Sequence, residues 1–158
     1  MYCTYKKPVR TTHQDGQSCE IDYVAEANRI STILDSLPAS PCDTLVTLMS
    51  QRKVTVEDLI EMSGASKRTV TRLRTNREYR PTKETAIAIC VGLHLEPPVR
   101  RDWMQKLAIP FSTGPTDLLY EMLLDRYYVL SLSEFNEKLK ECGLPSINEC
   151  AEELTQQQ

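Results

Sequence analysis

The chain has 158 residues, enough for one domain with a hydrophobic core and helical additions. Apolar residues make up 41%, aromatics 6% and glycine only 5 residues, a balance that disfavours sandwiches and barrels and points to an all-α fold. No apolar run is long enough for a membrane span or a signal-peptide core, so a cytoplasmic protein with no membrane contact is expected. The net charge of -3 gives no overall basic excess.

In chain order, residues 1–39 read as a polar lead followed by one amphipathic helix from about Glu20 to Ser36. Val24, Ala27, Ile30, Ile33, Leu34 and Leu37 recur there at steps of three and four, and Pro38 stops the helix. Ser40, Pro41 and Asp43 write the start of a second helix, which carries Leu45, Val46, Leu48 and Met49 inward and ends near Arg52. Thr55 with Asp58 caps a third, with Leu59, Ile60 and Met62 apolar and Gly64 as a left-handed terminator.

Ser66 caps a fourth helix, Lys67 to about Thr75, in which Val70 and Leu73 share one face while Lys67, Arg68, Thr71, Arg72 and Arg74 take the others. Thr82 opens a fifth with Ala86, Ile87, Ile89, Cys90 and Leu93 apolar. Beyond Pro97 and Pro98 a sixth follows with Val99, Trp103 and Leu107 at i, i+4 and i+8.

Residues 110–158 then form a helical C-terminal extension. After a linker at Pro110 to Pro115, one helix carries Leu118, Leu119, Met122 and Leu123 to about Tyr127. The next begins at a capping box of Ser131 and Glu134 and ends at Gly143, and Ser146 with Glu149 opens a short last helix.

Charge is distributed unevenly. Between Ser66 and Lys83 stand seven basic residues against the single acid Glu78, whereas the chain from Pro97 onward is acidic. The basic excess therefore coincides with the fourth helix and the loop after it. A short capped helix, a glycine turn and a second short helix whose outer faces are cationic make a unit that fits a major groove about 12 Å wide.

Thr55, Asp58-Leu59, Gly64, Ser66, Thr69-Val70 and Leu73, followed by Arg80-Pro81-Thr82, Ile87, Cys90 and Leu93, resemble the Cro and repressor family of helix-turn-helix regulators, also called the xenobiotic-response-element family. The resemblance covers Thr55 to Leu95, and helices at Pro41 to Arg52 and Pro98 to Leu107 would complete a five-helix DNA-binding domain over residues 40–109. It implies base contacts from Lys67, Arg68, Thr71 and Arg72, and phosphate contacts from Thr69, Arg74, Arg77, Arg80 and Lys83. Arginine or lysine at such positions favours guanine, whose O6 and N7 accept two hydrogen bonds. Family members commonly carry glutamine at the first position of the third helix, where this chain has Val56. Tyr120 to Leu144 is more weakly similar to tails of mobile-element regulators that travel with metallopeptidase partners.

The implied function is a sequence-specific transcriptional regulator on double-stranded DNA, working as a homodimer or with a protein partner through its flanking helices. The alternative is a protein-interaction adaptor or antitoxin-like module on the same scaffold. No enzyme is expected: His13 and His94 are the only histidines, and the glycines are too widely spaced for a phosphate-cradling loop. No cofactor or metal is called for. The six cysteines form no C-x-x-C pair, and Cys3, His13 and Cys19 are an irregular set for a metal, so reduced thiols are expected.

Overall fold

The structure, a computed structural model, describes residues 21–148. Among them are eight helices and no strand: α1 (Tyr23–Ser36), α2 (Pro41–Gln51), α3 (Val56–Ser63), α4 (Lys67–Thr75), α5 (Lys83–Gly92), α6 (Pro97–Lys106), α7 (Pro115–Tyr127) and α8 (Leu132–Glu141). Five begin at a serine or threonine whose hydroxyl accepts the backbone N–H three residues on: Ser40, Thr55, Ser66, Thr82 and Ser131. Each such cap satisfies a donor that the first helical turn otherwise leaves open. At Thr55 and Ser131 the acid side chain returns the bond to the cap's own N–H, closing the expected capping boxes.

Helix α1 starts at Asp22, whose carboxylate accepts from the N–H groups of Val24 and Ala25, rather than near Glu20. The polar lead and the helix expected from Glu149 lie outside the described residues; Ser146 to Asn148 are not helical.

Three helices end on non-glycine residues in the left-handed region, Lys53, His94 and Ala108. Each is followed by an apolar residue whose N–H reaches back five positions: Val54 to Met49, Leu95 to Cys90, Ile109 to Met104. This is the Schellman closure, and the apolar residue seals it against the core.

The core has two parts that share α5. One face of α5 (Ala86, Ile89, Cys90) packs with Leu45, Leu48, Leu59, Val70, Leu73, Val99 and Trp103 from α2, α3, α4 and α6. The opposite face (Ile87, Ala88, Val91) packs with Tyr120, Leu123 and Leu124 of α7 and Phe135 and Leu139 of α8. Trp103 is fully buried and donates its indole N–H to the Pro41 carbonyl, which fixes α6 on the start of α2. Gly92 lets α5 approach α3 closely, since a Cβ there would lie 3.2 Å from the Met62 backbone.

Several apolar residues expected inside are outside. Val46 is exposed on α2, and on α7 Leu118 and Met122 face solvent, Met122 at 68%. The buried stripe of α7 runs through Tyr120, Leu123 and Leu124, so the helix is rotated from the expected face by its packing between α5 and α8. On α1 only Ile30, Ile33, Leu34 and Leu37 pack on the core, while Val24 stays 72% exposed and Ala27 is also exposed.

A buried carboxylate ties α1 to this core. Glu96, with its side chain 1% exposed, accepts from Arg29 of α1 at 2.8 Å and from Arg52 at 2.6 Å. Burial pushes its pKa up, but the charge of Arg52 and the hydrogen bond from Arg29 together outweigh that and hold it below the ordinary carboxylate range.

The turn between α3 and α4 depends on Gly64, at φ +65°. A Cβ there would stand 2.5 Å from the Asn148 carbonyl oxygen as well. Gly64→Ala combines left-handed strain with a backbone clash and should lower unfolding free energy by about 2–3 kcal/mol in urea denaturation; a loss below about 0.5 kcal/mol would contradict this packing.

Candidate nucleic-acid interface

Helix α4 is aimed outward by its first turn. Ser66 caps it, with its hydroxyl also 2.9 Å from that of Thr69, and the buried Val70 and Leu73 pin the inner face. At about 100° per residue, Lys67, Arg68, Thr71 and Arg72 fall within an arc of about 140° on the opposite side. All four are exposed. Thr75, which the sequence reading passed over, lies in the middle of the same arc and donates its hydroxyl to the Thr71 carbonyl. Helical period alone would have found it.

The cations here differ in how they are held. Among the described residues no carboxylate pairs with Lys67, Arg68 or Arg72. Arg72 lies over the ring of Tyr79, 5.4 Å from its centre, which links the helix to the following loop. In that loop Arg80 donates to the carbonyls of Arg77 and Tyr79, so its guanidinium braces the turn from Asn76 to Arg80. Arg77 makes an exposed ion pair with Asp43 at 3.2 Å. A pair that open contributes little and leaves the arginine available to another anion.

Two of the expected phosphate contacts sit differently from the rest. Arg74 is half-buried at the edge of the inner face, and its Nε is buried with no hydrogen-bond partner. Thr69 is likewise half-buried, and its hydroxyl faces Ser66.

Lys83 at the start of α5 is committed: its ammonium lies 2.8 Å from Asp117 of α7 and 5.4 Å from the ring centre of Phe111. The Lys83 hydrogen bond, helped by the Ser112 N–H, brings the Asp117 pKa down to about 2. The pair therefore persists at neutral pH and opens only as pH falls through that value. Asp117→Asn removes the competing charge and should raise affinity for duplex DNA about threefold at low salt, as read by fluorescence anisotropy; unchanged or weaker binding would mean that Lys83 faces no phosphate.

Val56 stands at the first position of α3 and is packed, half-buried, on the core. The glutamine that the family resemblance leads one to expect there is thus replaced by an apolar contact supporting the crossing of α3 on its neighbours. Of the cysteines, Cys42, Cys90 and Cys142 are free thiols, and burial pushes Cys90 up to about 12, leaving it neutral. Cys3, His13, Cys19 and Cys150 lie outside the described residues.

The segment from Thr44 in α2 to Pro98 in α6 matches the family model of the Cro/C1-type helix-turn-helix DNA-binding domain. No curated protein and no solved structure matches the chain. The matched segment contains the complete α3-turn-α4 unit, α5 and the basic loop between α4 and α5, so the local cationic excess lies within it. It excludes α1, α7, α8 and the segment after α8, yet Arg29 of α1, Asp117 of α7 and Asn148 of that last segment reach into it. No described helix is long and apolar enough to cross a membrane.

Proposed function

We propose that the chain is a sequence-specific transcriptional regulator that inserts α4 into the major groove. Lys67, Arg68, Thr71 and Arg72 read base edges, with Thr75 beside them, and Arg77 and Arg80 hold phosphates, joined at the margin by Thr69, Arg74 and Lys83. The observation that carries this reading is the exposed face of α4: within a matched DNA-binding domain, it presents three cations that no carboxylate neutralises among the described residues.

One α4 covers half a site, so the regulator works in the cytoplasm as a homodimer whose recognition helices lie about 34 Å apart. The exposed Ile21, Tyr23 and Val24 of the α1 end and Leu118 and Met122 of α7 are its candidate contact surfaces. The same exposed apolar residues favour a second reading, a protein-interaction adaptor on a helix-turn-helix scaffold. Selection from a random duplex pool separates the two. The regulator predicts enrichment of a guanine-containing half-site repeated with dyad symmetry, whereas recovered sequences indistinguishable from the input pool would leave the adaptor.

A further inference from the structure

The turn that aims α4 is held from outside the matched domain. Ser63 ends α3 with a carbonyl that has no intrahelical partner, and the Asn148 side-chain amide donates to it at 3.1 Å. The Asn148 backbone carbonyl fills the space where Gly64 lacks a Cβ, 2.5 Å from that missing atom. Asn148 meets both from a left-handed backbone, φ 46°.

Its own placement is fixed one residue earlier. The buried Asn136 of α8 accepts from the Ile147 N–H at 2.8 Å and donates to the Ile147 carbonyl at 2.9 Å, while the Ile147 side chain is buried among α5, α7 and α8. Both polar groups of that backbone unit are thus satisfied by one amide, which locks the segment's register as a strand partner would. A continuous path of contacts runs from α8 through Asn136, Ile147 and Asn148 to Ser63 and Gly64, and Ser66, the cap of α4, follows two residues later.

We propose that Asn148 is a positioning residue for DNA recognition: the C-terminal segment clamps the turn between α3 and α4 and sets the angle at which α4 leaves it. This rests on the reading of α4 as the DNA-contacting helix. The left-handed φ of Asn148 gives a clean variant, since Asn148→Gly keeps that backbone and its carbonyl while deleting only the amide that holds Ser63.

The test compares the full chain with Asn148→Gly and with Asn148→Asp, which places carboxylate oxygens against the Ser63 carbonyl. Affinity is measured for a duplex selected by the wild-type chain, or for random duplex if none is selected, and amide hydrogen exchange is followed at Ala65 to Thr69, both well below the melting temperature. Asn148→Gly should weaken binding about fivefold with an unchanged salt slope and speed exchange at Ala65 to Thr69 while the α8 amides stay protected; Asn148→Asp should weaken it at least as much.

A residue that merely stabilises the fold would lower the melting temperature and leave affinity intact in the folded protein. That outcome, or unchanged exchange at the turn, overturns the proposal. If the wild-type chain binds no duplex, the DNA-contact reading fails and with it the positioning role, while the exchange data still decide whether the clamp holds the turn.

Discussion

Replacing Lys67, Arg68 and Arg72 together by alanine should reduce affinity for a selected duplex by two orders of magnitude or more, with the melting temperature nearly unchanged. All three side chains are exposed on the face of α4 opposite Val70 and Leu73, so their removal leaves the core intact. Each specific base contact by arginine or lysine contributes about 1–3 kcal/mol, and three lost contacts exceed the roughly 2.7 kcal/mol of a hundredfold change. The pattern of loss matters as much as its size. Binding to random duplex should fall much less than binding to the selected one, because the phosphate contacts remain. Removing Arg77 and Arg80 should do the reverse, weakening both duplexes alike and flattening the salt dependence. A triple variant with undiminished preference for the selected duplex would show that α4 does not read bases.

Glu96→Ala should destabilise the fold by about 3 kcal/mol at neutral pH. The carboxylate joins two arginines, and Arg52, with its side chain only 11% exposed, cannot regain full hydration when its partner is removed. Removing one member of such a buried set costs about 3–5 kcal/mol because the remaining charge is uncompensated. The lower end is expected here, since Arg52 keeps a bond to the His94 carbonyl at 3.2 Å and Arg29 keeps Glu26 at 2.6 Å. Because the folded-state pKa of Glu96 is depressed, its contribution is present above the ordinary carboxylate range and lost as pH falls through the lowered value. Urea denaturation should therefore show a difference between wild type and variant at pH 7 that shrinks in acid. A difference below about 1 kcal/mol at pH 7 would mean that α1 is held by its apolar face alone.

The local code was the legible part. Ser40, Thr55, Ser66, Thr82 and Ser131 each announced a helix start because a hydroxyl followed at the third residue by an available N–H is a local device that needs no tertiary information. Val70, Leu73 and Trp103 were legible for the same reason, since helical period separates an inner from an outer face within a few residues.

Ambiguity arose where two apolar faces competed. On α7 the leucines and Met122 outnumber the buried positions, and the choice of Tyr120 and Leu124 for the interior is made by α5 and α8. The left-handed helix ends at Lys53, His94 and Ala108 escaped notice because the sequence signal for them is glycine, and here an apolar seal one residue later compensates.

Within the candidate site, the exposed cations of α4 were legible and their partners were not. Lys83 finds Asp117, Arg77 finds Asp43 and Ser63 finds Asn148, across 34, 34 and 85 positions of sequence. Only the folded chain brings these together, and they divide the basic segment into free, loosely paired and committed charges.

The most direct test of the account is the binding of wild-type protein to duplex DNA across a salt series. A reader that neutralises roughly four phosphates per protomer predicts that log K falls linearly with log salt at a slope of about −3 to −4 per protomer. No binding at low salt, or binding indifferent to salt, would contradict the claim that this helix-turn-helix domain grips DNA through α4 and the basic loop that follows it.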